Sequence, residues 1–233
     1  MRRRFFVDEV RNGEAELAGD DAKHLTKVLR VEVGQRYEIS DNRNVYLAEI
    51  ETARKERVVF RTVEKMPEQP VPPRLVLCAA LIKFDHFEWM IEKATELGVT
   101  EIVPVETIRS ERGLERAAHK RLERWRRIAL EASQQSRRAF LPVVHEAQRL
   151  REVLALPASR RYALDEKPGA PLLARSLAGT GEAAILVGPE GGWTEDERGS
   201  FISAAWAPVS LGSLILRAET AAIAALVIVS SLN

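Results

Sequence analysis

The sequence has a single cysteine, Cys78, among its 233 residues. An internal disulfide is therefore impossible, and a lone thiol inside an apolar run fits a reduced compartment such as the cytoplasm. Long hydrophobic runs are also lacking. The longest, Ala221 to Val229, falls far short of the roughly 20 residues that cross a bilayer, so no membrane association is expected. The basic start passes directly into Asp8-Glu9, without the apolar core of a secretory signal. Histidine is scarce, and His24, His86, His119 and His145 stand far apart. No paired-ligand spacing results, so no metal is expected. Net charge is nearly absent as well, at +1. What is present, 45% hydrophobic and 30% charged residues, is ordinary for a globular protein of one or two domains.

The small net charge conceals an uneven distribution. Between Arg109 and Arg138 lie nine arginines and one lysine against four glutamates, whereas the segment from Thr180 onward is acidic. Two readings stand: a surface facing a polyanion, or a solvated helix face laced with ion pairs. The bias toward arginine favours the first, because its planar fork suits phosphate.

Residues 1–66 read as a small β-rich domain. Tyr37 to Ser40, Val45 to Ile50 and Arg57 to Val63 alternate apolar and polar residues, the pattern of half-buried strands. Asp41-Asn-Arg-Asn44 supplies a hairpin-type turn, and a short helix is expected over Asp20 to Leu29. Residues 67–73 follow as a proline-rich linker, stiff and extended. From residue 74 onward the pattern changes to alternating strands and helices, which predicts a parallel α/β sheet. Strands are expected at Leu75 to Ile82, Ile102 to Val105 and Tyr162 to Leu164. Phe84, Phe87, Met90, Ile91, Ala94 and Leu97 recur at helical spacing up to Gly98, and a basic helix is expected from Glu115 to Gln135. The helix from Glu219 to Ser231 is apolar nearly all round and should be buried on every side, a subunit interface being one way to cover it.

Two stretches stand out within this second part. Ile185-Leu-Val-Gly-Pro-Glu-Gly-Gly192 and Val209-Ser-Leu-Gly-Ser-Leu-Ile-Leu-Arg-Ala-Glu-Thr220 each carry a short apolar run into a glycine-bearing turn and then a helix. Such units put two loops at the carboxyl ends of neighbouring parallel strands, the edge where α/β sheets bind ligands. Glycine allows close backbone approach there, and Thr194-Glu-Asp-Glu197 has the form of a capping box opening the first helix. Taken alone, Gly188-Pro-Glu-Gly-Gly192 equally fits a tight strand-to-helix turn. It lacks the Lys-Ser/Thr of a P-loop and the spacing of a dinucleotide fingerprint.

Lys83, Lys93-Ala-Thr-Glu-Leu-Gly-Val99, Glu131-Ala132, Gln135-Ser136, Arg138, Pro142, Gly188-Pro-Glu-Gly-Gly192, Leu211-Gly212 and Ile215-Leu-Arg-Ala-Glu-Thr-Ala221, with Arg4-Phe5-Phe6-Val7, His24-Leu25 and Val28-Leu-Arg30, together resemble one family. It is that of the 16S ribosomal RNA uridine N3-methyltransferases, ribosomal RNA small-subunit methyltransferase E, in the SPOUT superfamily. The resemblance spans nearly the whole chain. Some positions depart from the pattern: Arg137 stands where glycine is usual, Phe84 and His86 replace Gly and Arg, Ser213 a proline, and Trp206-Ala207 a Gly-Phe.

The resemblance implies a PUA-like RNA-binding domain over residues 1–66 and a SPOUT methyltransferase domain over 74–233. The latter would be closed by a deep trefoil knot, which no periodicity predicts. It further implies a homodimer acting on 16S ribosomal RNA of the small subunit, with S-adenosylmethionine as methyl donor and no metal. Leu164, Leu186, Gly188, Glu190, Gly191, Gly192, Leu211, Gly212, Ile215 and Leu216 would hold the donor. Arg4, His24, Arg30, Lys83, Arg109 and Arg138 would meet RNA, alongside the basic Arg2, Arg3, Lys23 and Lys27. Methylation at N3 must remove an imide proton, align the base and stabilise charge on its carbonyls. Arg138 is assigned to the uridine or its phosphate and Arg217 to the developing charge. Glu219 is either the proton acceptor or a carboxylate favoured by a helix N-terminus. The target base must leave its stack to reach such a pocket. The rival readings are a non-catalytic RNA-binding ribosome assembly factor on the same scaffold and an enzyme using another nucleotide-like ligand.

Overall fold

The computed structural model describes residues 3–177 and 181–231; Arg2, counted above among the basic residues for RNA, lies outside them. The chain forms two compact units, Met1–Val71 with Ser133–Leu141, and Pro72–Ala132 with Pro142–Asn233.

In the first unit, β1 (Arg4–Phe6), β2 (Glu14–Ala18), β3 (Arg36–Ser40), β4 (Val45–Arg54) and β5 (Arg57–Lys65) form a sheet ordered β1-β3-β4-β5-β2. Period-2 alternation turns Ala15 and Leu17 inward, where they join Phe5, Leu25, Ile39, Ile50 and Phe60 in one core. The Asp41 turn forms as its residues suggest: Asp41 Oδ1 accepts the N–H groups of Arg43 and Asn44, at 3.0 and 2.6 Å. Strand β1, at three residues, is too short to carry a period, whereas β2 has the five-residue alternation of a half-buried strand and is an addition to the elements expected. The helix expected over residues 20–29 is two elements, α1 (Gly19–Lys23) and a π-helical turn, His24–Val28. There Thr26 Oγ1 donates to the Ala22 carbonyl at 2.8 Å, a side-chain bond that competes with the helical ladder.

The second unit comprises β6 (Leu75–Ala80), α2 (Phe84–Glu96), β7 (Glu101–Glu106), α3 (Leu114–Ser136, whose last turn joins the first unit), β8 (Val143–Val144), β9 (Gln148–Arg149), α4 (Leu150–Leu154), β10 (Arg161–Leu164), α5 (Leu173–Ser176), β11 (Ala183–Val187), α6 (Glu195–Ser203), β12 (Ala207–Val209) and α7 (Ala218–Ser230). Its sheet is ordered β12-β10-β11-β6-β7-β8, with β9 also on β7, and every pairing is parallel. Leu75, Leu77 and Ala79 face one core with Ala183, Ile185 and Val187, while Val76, Cys78, Ala184 and Leu186 face another. The first core is covered by α2, α3, α5 and α7, the second by α4 and α6. Burial on both faces is why these strands read as unbroken apolar runs.

Two expectations are corrected here. Strands β11 and β12 are not neighbours, because β10 lies between them. Pro208 explains the outer place of β12: a residue without N–H is tolerated on an edge strand. The apolar run at Val209 is the end of that strand rather than its start, since Ser210 turns away to bond Pro171. Elsewhere Gly98, at φ +91°, closes α2 in the left-handed conformation that favours glycine. The basic helix α3 is laced with ion pairs: Arg121 and Arg124 meet Glu88, Arg126 meets Glu123, and Arg127 meets Glu131. Its stripe is thus, at least in part, the solvated face that was the alternative to a polyanion surface.

Arg137 has φ +59°, a left-handed geometry that costs a non-glycine residue about 1–2 kcal/mol. Its guanidinium pairs with Glu38, and its carbonyl accepts from Arg4 Nη1 at 2.8 Å. Arg4 in turn lies beside Glu38 in register and bonds it at 2.7 Å, both residues buried. Burial pushes the Glu38 carboxyl up, but Arg4 and Arg137 outweigh it and hold it below its ordinary value. Glu38→Gln should cost the first unit about 3 kcal/mol, because the buried Arg4 loses its counterion. Arg137→Gly should stay within about 1 kcal/mol of wild type, backbone relief offsetting a half-exposed ion pair. Urea unfolding checks both. The Glu38 contribution, from a depressed carboxyl, should be present above the ordinary carboxylate pKa and vanish as pH falls through the lowered value.

Candidate ligand cleft

At the carboxyl edge of β10, β11 and β12, residues 164–166, 187–193 and 209–216, with Ala218 and Ala221, line a cleft of about 270 Å³. Each wall has an identifiable support. Trp193 is buried and donates Nε1–H to the Leu164 carbonyl at 2.8 Å, pinning the end of β10 to the loop after β11. Gly188 is required by that indole, since a Cβ there would lie 2.9 Å from the Trp193 ring. Gly192 has φ +66° and would bring a Cβ to 2.6 Å from Glu166 Oε1. Gly212 meets no crowding but has φ +134°, so the constraint there is conformational rather than steric.

Polar side chains complete the frame. Arg198 of α6 is buried and reaches Asp165 at 3.0 Å, Glu166 at 2.8 Å, Glu195 at 3.1 Å and the Trp193 carbonyl at 2.8 Å. The capping box read from the sequence is formed, with Thr194 N–H donating to Glu197 Oε2 at 2.9 Å and Glu197 N–H to Thr194 Oγ1 at 3.2 Å. The other Glu197 oxygen accepts the Ile108 N–H at 2.9 Å. Arg109 donates to the Gly191 carbonyl at 2.8 Å, and a Cβ on Gly191 would approach Arg109 Cβ to 3.1 Å.

Of the residues expected to hold a ligand, Leu164, Gly188, Glu190, Gly191, Gly192, Leu211, Gly212, Ile215 and Leu216 line this cleft. Leu186 does not; it is fully buried beneath, between Ala163 and Cys78. Arg217 is the exposed N-cap of α7, next to the lining. Glu219 is buried, and its carboxylate meets His86 Nδ1 at 2.8 Å rather than lining the cleft. Arg138 belongs to the first unit, where its Nε donates to the Phe140 carbonyl at 3.1 Å and burial lowers its pKa to about 10. Lys83 is exposed at the N-cap of α2, whereas Arg109 is engaged by the loop it braces. Arg30 is exposed at φ +51°, beside the π-helical turn that begins at the partly buried His24. Arg4 is buried on Glu38 and does not present its charge to solvent.

Sequence reading missed Asp165, Glu166, Trp193 and Arg198. Their positions beside the glycine motif or at the end of a strand were legible, but their convergence depends on the sheet order. Among the described residues, no group of three or more His, Cys, Asp or Glu side chains is placed to hold a metal, and no helix is long and apolar enough to cross a membrane.

Comparison with known proteins agrees with this architecture. A family model for an RNA methyltransferase domain matches residues 67–230, and one for an RNA methyltransferase PUA domain matches residues 17–63. Ribosomal RNA small subunit methyltransferase E of Synechocystis is 35% identical over 217 residues, covering 90% of this chain and 70% of that protein. The Bacillus subtilis protein of the same name is 31% identical, covering 92% and 88%. The crystal structure of ribosomal RNA small subunit methyltransferase E from Neisseria gonorrhoeae bound to S-adenosyl methionine aligns with TM-score 0.89 at 29% identity, over 100% of this chain and 98% of that one. A putative methyltransferase from Legionella pneumophila, in complex with the same cofactor, aligns with TM-score 0.90 at 25% identity, over 99% and 98%.

Trp193→Phe should destabilise the second unit by about 1–3 kcal/mol, since it leaves the Leu164 carbonyl without its buried donor while preserving most of the ring volume. Urea unfolding measures the loss, and a change below about 0.5 kcal/mol would show that the bond does not secure the loop.

Proposed function

The chain belongs to the family of ribosomal RNA small subunit methyltransferase E, and from that premise we propose that it methylates N3 of a specific uridine in 16S ribosomal RNA, with S-adenosylmethionine as donor. The observation that carries this reading is the cleft itself. Two glycine loops and the end of β10 converge there, and nine of the ten residues expected to hold the donor line it. Close approach at Gly188, Gly191 and Gly192 suits recognition of adenine and ribose by backbone groups. The exposed Glu190 carboxylate at the rim suits a cationic ligand. The sulfonium supplies an activated methyl group, and the protein's task is to bind, orient and exclude water.

For the acceptor, Arg138 is assigned to the uridine or its phosphate and Arg217 to the charge that develops on the base carbonyls. Exposure of Arg217 at the N-cap of α7 supports that role. The contact of Glu219 with His86 supports a part for it as the carboxylate at the helix N-terminus that positions α7, the alternative being acceptor of the N3 proton. Residues 1–66 are assigned to RNA, with Lys23, His24, Lys27 and Arg30 grouped on and after the α1 turn, and Lys83 adding a cation from the catalytic unit. Residues 74–233 are assigned to the donor, with the knotted chain path of SPOUT enzymes. A cytoplasmic homodimer completes the reading. It is supported by the partly uncovered face of α7, where Val227 is 46% exposed.

Labelled S-adenosylmethionine with unmethylated small subunits, followed by nucleoside mapping, tests the activity. Label in N3-methyluridine is expected; RNA binding without transfer would favour the non-catalytic assembly factor. Gly191→Val should weaken donor binding by tenfold or more, because its side chain displaces Arg109 and fills the approach to the loop. Arg138→Ala should leave donor affinity near wild type and reduce transfer by about 10–100-fold; equal loss of both would assign Arg138 to the fold. Light scattering at sub-micromolar concentration should give a dimer, and a stable, active monomer would refute that part.

A further inference from the structure

The pair formed by His86 and Glu219 lies outside the cleft but bears directly on one of its walls. Glu219 sits in the first turn of α7, between Ala218 and Ala221, both of which line the cleft. Arg217, which caps that helix, makes no side-chain capping hydrogen bond, so the start of α7 is anchored from elsewhere. The anchor is a side chain of α2. His86 Nδ1 meets Glu219 Oε1 at 2.8 Å, and the Glu219 side chain is only 9% exposed. On its other side His86 Nε2 lies 3.7 Å from Asp85. Below the pair, Phe87 and Met90 of α2 share a core with Ala222, Ala225 and Leu226 of α7. The two helices are therefore packed through one shared core, and the polar pair joins their first turns.

We infer that His86 is a positioning residue for the methyl-donor site: through Glu219 it holds the start of α7, and with it the 211–217 loop, in the donor-binding arrangement, most firmly when the imidazole is protonated. This rests on the donor assignment made above. All charged groups around the ring enter the balance. The hydrogen bond to Glu219 raises the His86 pKa above its ordinary value, partial burial opposes this, the charges of Glu219 and Asp85 raise it further, and Arg217 lowers it. Because the folded value is raised, the charged pair is complete below the unfolded pKa of about 6.5 and is lost as pH rises through the folded value. The neutral ring can still donate a hydrogen bond, so the alkaline loss is that of the charge-assisted part alone.

The test is titration calorimetry of the full chain with S-adenosylmethionine from pH 6 to pH 9, for wild type, His86→Arg and His86→Ala. Thermal unfolding is followed at each pH. Arginine keeps a cation at every pH in this range. Wild-type affinity should fall about fivefold more than that of His86→Arg across the range, by the lost charge-assisted part of the bond. Titration of the donor's own amino group affects both proteins equally and cancels. His86→Ala should bind weakly at every pH, with His86→Arg restoring affinity at pH 6 to within about twofold of wild type. Parallel pH profiles for wild type and His86→Arg, or full affinity in His86→Ala, would overturn the inference while leaving the donor assignment intact. No binding by folded wild type at any pH would overturn that assignment and this inference with it.

Discussion

The cleft depends on one buried cation. Arg198 comes from the face of the sheet opposite to α7, and its guanidinium gathers Asp165, Glu166, Glu195 and the Trp193 carbonyl. Without it, two carboxylates at the end of β10 and the loop after β11 would repel one another beneath a low-dielectric sheet edge. A pair this buried does not stabilise a fold simply by existing, because desolvation of both ions is costly. Its value lies in geometry: a planar fork with several acceptors permits few arrangements. The glycines exploit the space so defined, and Trp193 fills what remains against Leu164 and Gly188.

A second constraint of the same kind operates in the first unit. Arg4, Glu38 and Arg137 bind a strand to a segment about a hundred residues later in the chain, and Arg137 accepts a strained backbone to do so. The left-handed arginine at that position is thus tied to an ion pair with Glu38. His86 presents a parallel case, a titratable cation held by a buried carboxylate beside the cleft. In each, a basic side chain meets a buried carboxylate, and the packing around that carboxylate fixes the geometry of the pair.

Much of the architecture was legible before the fold. Hydrophobic periodicity located α2 and α3 to within a residue or so and the parallel strands almost as closely, because helices and doubly buried strands impose distinct repeats. Capping chemistry located the start of α6 at Thr194, since that signal is local to four residues. Less was legible in the three-residue strand β1 and the two-residue β8 and β9. Strands that short carry no period, and the ladder beside β7 passes from β8 to β9 around Val103 and Pro104, where proline supplies no donor.

By itself the sequence determined the longer helices and strands in their order, the change from antiparallel hairpins to parallel units near residue 70, and two glycine loops following apolar strands. All of these follow from patterns within a few turns of chain. Tertiary structure alone decided that β10 separates the two loop-bearing strands, that residues 133–141 join the first unit, and that Arg4, Arg109 and Glu219 face protein partners. The reason is physical. A side chain's charge is written in the sequence, but whether that charge meets solvent, ligand or another side chain depends on long-range neighbours that only the closed sheet and packed helices bring within 3 Å.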